Sequence, residues 1–499
     1  MPTRSVLRLA AIVVGALVSL AYARTIAPGI TWANYGADGA ELAAAALVNG
    51  VAHPSGYPTY LLLADLFLAL PGAEPAFKLN LLSATAALLT TLVIFATVAQ
   101  LAPPSPWRSV AAALAALGLG FAPLFWSQAL ITEVYALGAL FGVVLLRSTL
   151  VQLVAGVPVA FWPAAATSLL AGLALGNHLA VLPFSLIWLV VATRFQPHWL
   201  ARGALVAWFG LGLLVYLILP LRAASLPPIN WGGAHHWDGF WWLVRGQLYT
   251  GLAFAIPFET LPDRILTTLQ TLMAQLGLVG LTLISYGLVR IRHARAWSIR
   301  WASLVPAGLI IGFTLGYASY DATVYLVLAL PSLALWVGLG LAESLARLSF
   351  PTSSVGPVRW LPILVSSSVA LALFLAWPAN LRTVDARTDH RASNYAHTIM
   401  TQAPDRSLIF TFRDHDSFPL WYYHLGQSRR PDVVLVTAPL LGFPWYRESL
   451  QATYPHLHVP ETALLGWEHA IAQHYADQGP ICRTQLEAEP ILVCATPTP

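Results

Sequence analysis

The amino-acid sequence predicts a polytopic α-helical membrane protein with a small α/β domain after its last span. Three observations carry that expectation. Of 499 residues, 57% are hydrophobic and 10% are charged, against about 25% charged in soluble domains; the mean hydropathy is +0.67. Apolar runs of about 20 residues, the length that crosses a bilayer, recur along most of the chain. The composition becomes much more polar after residue 380. These features exclude an ordinary cytosolic enzyme, and also a disordered chain, which needs low hydrophobicity and high charge. The net charge is +4 and Lys78 is the single lysine. Basic residues sit at loop ends rather than in one patch, so nucleic-acid binding has no support.

The first apolar run, 9–21, follows Arg4 and Arg8 and ends at Ala21-Tyr22-Ala23, which also resembles a signal-peptide cleavage site. Many spans follow and need an anchor, so an uncleaved helix is the better reading. Further spans are expected near 79–101, 108–124, 130–147, 162–176, 178–194, 203–220, 266–289, 301–318, 323–342 and 360–379, about eleven in all. The stretch 162–194 breaks at Gly176-Asn177-His178, a tight hairpin. The positive-inside rule then fixes the sense. Arg4, Arg8, Arg108, Arg147, Arg194, Arg202, the group Arg290, Arg292, Arg295 and Arg300, and finally Arg347 and Arg359 all fall at cytoplasmic ends. The chain after Trp377 lies outside. Trp107, Trp188, Trp199, Trp360 and Trp377 are placed near span ends, as interfacial aromatics are.

Three regions do not read as spans. Residues 24–78 and 221–265 form long outer loops of a membrane domain ending near 380, and 381–499 form the extracytoplasmic domain. In that domain 407–412, 432–437 and 491–495 read as strands, with helices at 421–427 and 445–453. Cys482 and Cys494 flank a hairpin-like segment, where a disulfide is plausible outside the cell.

Costly polar residues converge on one face. Asp38, Glu41, His53, Glu133, His178, Arg222, His235, His236, Asp238, Arg245 and Asp321 all fall in outer loops or at outer helix ends. Such groups are functional candidates by default. A transporter needs polar groups near the midplane, and no span here carries an acid or base at its middle. Asp38 and Glu41 open a helix: they read as a capping pair, or as paired carboxylates that accept a hydroxyl proton. His53-Pro54-Ser55-Gly56-Tyr57-Pro58 is a turn of conformationally restricted residues. His235 and His236 lack a partner at ligand spacing, and no His-Glu-x-x-His or Gly-x-Ser-x-Gly occurs, so no metal site or serine hydrolase is expected. Asp414-His415-Asp416 reads as a turn that caps the helix after it.

An ordered set of strings gives the sequence a family likeness. They are Asp38-Gly39-Ala40-Glu41-Leu42 with His53-Pro54-Ser55-Gly56-Tyr57-Pro58; Phe125-Trp126-Ser127-Gln128 with Glu133-Val134-Tyr135; Gly176-Asn177-His178-Leu179; Leu221-Arg222-Ala223, Asn230-Trp231-Gly232 and Gly246-Gln247-Leu248-Tyr249; and Asp414 to Tyr422 in the tail. The set resembles a bacterial membrane family, once classed as a domain of unknown function, that also includes animal transmembrane protein O-mannosyltransferases. The resemblance implies a glycosyltransferase C-type fold and transfer of a sugar, mannose, from a polyprenyl-phosphate carrier to a hydroxyl acceptor on the outer face. The lipid-linked sugar is a substrate, and no cofactor or metal is expected.

The family's acidic base in the first outer loop maps onto Asp38, with Glu41 as its partner. Arg222 and Arg245 are candidates for the leaving phosphate, with His178 as a donor; Arg222 also reads as a snorkelling helix-end residue. His53, Tyr57, Glu133, Tyr135, Asn177, Asn230, Trp231, Gln247 and Tyr249 complete the expected substrate-binding set. Protein Ser/Thr is the implied acceptor. Transfer to a glycolipid or surface polysaccharide, and a non-catalytic lipid-sugar transporter, are the alternatives.

Overall fold

The computed structural model describes residues 3–291, 296–349, 360–460, 462 and 466–495; Arg292, Arg295 and Arg359 of the expected cytoplasmic ends lie outside the described residues. Each expected apolar run holds a helix. Seven are long and apolar enough to cross a membrane: Arg4–Ala23, Pro75–Leu101, Tyr135–Ala155, Trp199–Ala223, Phe258–Arg290, Ala296–Gly316 and Leu361–Val384. Ala322–Leu328 and Leu330–Ser349 meet at a 49° bend and together make an eighth. The other three, Arg108–Gly120, Phe161–Leu175 and Leu179–Phe195, are shorter.

Small residues let these helices touch. A Cβ on Gly172 would lie 2.2 Å from the Phe209 carbonyl oxygen, and one on Gly212 would lie 2.3 Å from that of Leu169. The Phe161–Leu175 helix and its neighbour therefore pack backbone to backbone, as small-residue faces do in lipid. Trp188 does not sit at the interface. It is buried in the bundle, and its indole N–H donates to Ser168 Oγ at 3.2 Å.

The tail is an α/β unit. Strands β1 (Leu408–Thr411), β2 (Val434–Thr437), β3 (Ile481–Thr484) and β4 (Leu492–Ala495) form one sheet in the order β2-β1-β3-β4. β1 runs parallel to β2 and β3, and β3 pairs antiparallel with β4. Strand β3 had no counterpart in the sequence reading, because its four residues alternate weakly. Cys482 and Cys494 face each other across the β3–β4 hairpin and are disulfide-bonded, with Cα atoms 4.0 Å apart.

The tail docks onto the outer loops. The Asp38–Leu47 helix packs against Asp414–Leu420 and Trp421–Gly426. The Tyr422 hydroxyl donates to Glu74. Asp389 accepts from the backbone N–H groups of Trp32 (3.1 Å) and Ala33 (2.8 Å). The two outer loops are joined as well: Val51 N–H donates to the Ile229 carbonyl at 2.9 Å, and Trp231 N–H to that of Val51 at 3.2 Å. Loops and tail thus gather at one end of the bundle.

Candidate functional site

At that end lies a cavity of ≈ 640 Å³. Several separate stretches bring its polar wall together. Gly39 is the reason the first two meet: a Cβ there would lie 2.6 Å from the Thr132 carbonyl oxygen, so only glycine lets the Asp38–Leu47 helix rest on that backbone. Asp38 and Glu133 consequently face one cavity. The turn from His53 to Pro58 closes on itself through Gly56 N–H to the His53 carbonyl at 2.7 Å. It is tied to the 176–178 hairpin by Thr59 N–H to the Gly176 carbonyl at 2.9 Å. Asn177 ties the hairpin to the start of the Tyr135–Ala155 helix, donating to the Val134 carbonyl at 3.1 Å.

His53 is the hub. Its Nδ1 lies 2.8 Å from Glu41 Oε2, and its backbone N–H donates to Glu41 Oε1 at 3.1 Å. Its Nε2 lies 3.1 Å from the Tyr57 hydroxyl and 3.8 Å from Asp38 Oδ2. The Tyr57 hydroxyl donates to the Pro54 carbonyl at 3.1 Å. That direction of donation leaves the Tyr57 oxygen free to accept from Nε2–H, so both ring nitrogens act as donors, as in an imidazolium. The electrostatics agree. Burial opposes the charge, but the Glu41 carboxylate, with Asp38 and Glu133 behind it, pushes His53 up to about 9.

Asp38 stands half-open to the cavity. Burial raises its carboxyl above the ordinary carboxylate range; His53 pulls it down, while Glu41 and Asp321 add to the rise. A carboxylate raised in this way is a stronger base for a hydroxyl proton. His178 Nδ1 accepts from the Ala180 N–H at 3.1 Å, leaving Nε2 as that ring's donor.

Of the residues singled out from the sequence, Asp38, His53, Tyr57, Glu133, Tyr135, His178, Trp231, Arg245 and Tyr249 line the cavity. The others lie elsewhere. Glu41 is fully buried behind His53 and does not line the cavity. Asn177 and Asn230 are buried and spend their amides on backbone carbonyls. Gln247 is exposed and does not line the cavity. Arg222 is turned away from it: its guanidinium pairs with Asp65 and reaches the Gly50 carbonyl at 3.4 Å. Arg245 is the one arginine on the cavity wall among the described residues.

Other wall residues are not in the expected substrate-binding set. Asp321 was noted only as an outer polar residue, and Tyr325 not at all. From the tail come Asp414 and Phe418. The turn-cap reading of Asp414-His415-Asp416 fits Asp416, which accepts from Phe412 N–H at 3.1 Å and Arg413 N–H at 2.6 Å. Asp414 instead faces the cavity, where burial first and then Asp38 push it up to about 6. The cavity is also lined by the apolar side chains of Leu179, Leu182 and Leu309, all three accessible rather than buried.

Comparison with known proteins agrees with this architecture. The model of the family described as "Protein O-mannosyl-transferase TMEM260 N-terminal domain" matches residues 38–199, and that of "TMEM260-associated domain 2" matches residues 392–460. The mouse protein O-mannosyl-transferase TMEM260 is 25% identical over 459 residues, covering 85% of this chain and 62% of the mouse protein. Its Dictyostelium discoideum counterpart is 23% identical over 501 residues, covering 89% and 58%. The chain therefore spans about three fifths of the length of these relatives. Among solved structures, ArnT from Cupriavidus metallidurans bound to undecaprenyl phosphate superimposes with a TM-score of 0.56 at 14% identity, covering 96% of this chain and 93% of that one. The apo form gives 0.50 at 15% identity, covering 95% and 92%. The resemblance read from the sequence motifs holds, and the fold is the glycosyltransferase C-type fold of ArnT.

Proposed function

We propose that this chain is an integral plasma-membrane glycosyltransferase that moves mannose from a polyprenyl-phosphate carrier to a serine or threonine hydroxyl of a protein at the outer face. Its N-terminus is cytoplasmic and its tail domain extracytoplasmic. One observation carries the reading. A single cavity joins a carboxylate, Asp38, held 3.8 Å from the His53 ring, to an apolar wall that includes Leu179, Leu182 and Leu309. That arrangement suits a substrate with a sugar phosphate head and a hydrocarbon tail. The names of the relatives support mannose and a protein acceptor, and the undecaprenyl phosphate bound to ArnT supports the carrier.

The reaction is one inverting displacement. The acceptor oxygen attacks the anomeric carbon and passes its proton to Asp38. The bond from that carbon to the phosphate oxygen breaks, and the oxygen keeps the electron pair. Charge building on the leaving phosphate needs fixed donors in a water-poor site. Arg245 and His53 supply the positive charge on the cavity wall, and His178 Nε2–H a further donor. Glu41 acts through His53, fixing the ring that faces Asp38. The chemistry needs no cofactor, because the anomeric carbon is already activated by its phosphate leaving group.

The test is transfer from radiolabelled polyprenyl-phosphate-mannose in membranes holding wild type or Asp38→Asn at equal expression, with protein and lipid fractions counted apart. Loss of a general base lowers the rate by about 10²–10⁴-fold. Label in protein from wild type alone supports the full reading. Label in lipid moves the acceptor to a glycolipid. Equal label from both proteins removes Asp38 from its role.

A further inference from the structure

Adjacent histidines in the second outer loop looked unpartnered in the sequence. The fold supplies a partner from the tail. His235 Nε2 lies 3.5 Å from Glu448 Oε1, and His236 Nε2 lies 3.8 Å from the same oxygen. Ligand atoms of the three residues all lie within 4.8 Å of one another. These separations are too long for direct hydrogen bonds. They are close to the spacing of two donors on one tetrahedral zinc, which at ~2.0–2.1 Å from the metal stand about 3.3 Å apart. The two rings have centroids 4.0 Å apart, and His235 Nδ1 is buried with no hydrogen-bond partner.

The backbone is shaped for this approach. Gly232 and Gly233 have φ of +77° and +57°, and a Cβ on Gly233 would lie 3.0 Å from Trp445 Cβ. The turn can therefore lie directly against the Pro444–Thr453 helix that carries Glu448. Trp231 and Trp445 pack beside it with ring centroids 5.3 Å apart.

The geometry points to a divalent transition-metal site, for which zinc is the fitting ion, built from His235, His236 and Glu448. Two imidazoles and one carboxylate form a nitrogen and oxygen donor set that zinc accepts, and a water completes the tetrahedron. The ion clips the tail domain to the second outer loop. The clip is separate from the cavity, since none of the three ligands lines it. It stands or falls independently of the transfer reaction.

The test uses the full-length protein, purified in detergent through a tag without histidines. The protein is stripped with EDTA, equilibrated with zinc chloride and desalted, and its bound zinc is counted by mass spectrometry. Wild type is expected to hold one zinc per chain, and Glu448→Gln and His236→Ala each to hold at least tenfold less. Glu448 and His236 are both substantially exposed, and Glu448→Gln preserves shape, so folding is retained. Zinc is also expected to raise the unfolding temperature of wild type and to leave that of Glu448→Gln unmoved. Wild type without bound zinc overturns the proposal. So does equal zinc in wild type and both variants, which places the ion on other residues.

Discussion

His53 Nδ1 lies 2.8 Å from Glu41 Oε2, and this contact sets the charge of the group that faces Asp38. Glu41 is fully buried, so its carboxylate spends both oxygens on His53, one on the ring and one on the backbone N–H.

A bell-shaped pH profile follows from the proposed function. Asp38 must be ionised to accept a proton, and its raised pKa puts the acid limb above the usual carboxylate range. The basic limb falls near 9, where His53 loses its charge. Glu41→Gln removes the main support of that charge and moves the basic limb down by roughly one unit or more. The same pairing is a stability term. The folded pKa of His53 lies above the unfolded value of about 6.5. Its stabilisation is thus fully present below about 6.5 and is lost as pH rises through about 9. Unfolding temperature measured across that window should fall in wild type and flatten in Glu41→Gln. An unchanged basic limb in the variant would remove Glu41 from its positioning role.

The two arginines should separate cleanly. Arg245→Ala removes the cavity's arginine, and a charge-assisted hydrogen bond to phosphate is worth about 1.5–3 kcal/mol, or roughly 10–100-fold in donor kcat/KM. Arg222→Ala leaves Asp65 and the Gly50 carbonyl unpartnered, at a stability cost of about 1–3 kcal/mol. Thermal unfolding and donor kinetics on folded protein check both. A selective donor defect in Arg222→Ala would return that residue to the phosphate.

The sequence and the fold part company for a physical reason in this pair. Charge placement made both arginines candidates for the phosphate. That Arg222 turns away from the cavity depends on Asp65, 157 residues away in the chain, and on the carbonyl at Gly50, 172 residues away; neither is visible in a local pattern. The apolar runs were legible because bilayer length and composition dictate them. The polar wall was legible where motifs held it, as at Asp38, His53 and His178. The places of Asp321 and Asp414 on it were not, although a motif holds Asp414, because each reaches the cavity only through packing between segments far apart in the chain. His235 and His236 failed in the same way: their partner, Glu448, lies in the tail.

Asp321 offers a directional test of the electrostatics. It is one of the groups that raise the Asp38 carboxyl. Asp321→Asn removes that repulsion, so the pKa of Asp38 falls and the acid limb moves to lower pH. The ratio of activity below neutral pH to activity at the optimum should rise. An acid limb that stays in place or moves upward would show that Asp321 does not act on the base.

Asp414 extends the site to the tail domain. It reaches the cavity from the tail and titrates near 6, through burial first and the nearness of Asp38 second. Asp416, two residues on, does the structural work of that turn: it accepts from Phe412 and Arg413 N–H groups and from the Thr484 hydroxyl at 2.5 Å. The two carboxylates should therefore fail differently. Asp416→Asn lowers the unfolding temperature. Asp414→Asn leaves folding intact and raises the acceptor KM about tenfold, the worth of one hydrogen bond to a charged group, with the donor KM unchanged. Under the proposed function this asymmetry follows, because the acceptor meets the part of the cavity that Asp414 and Phe418 bring from the tail, and the hydrocarbon of the donor meets Leu179 and Leu309. Steady-state kinetics with each substrate varied in turn checks it. A donor KM that rises with the acceptor KM would place Asp414 against the sugar phosphate instead.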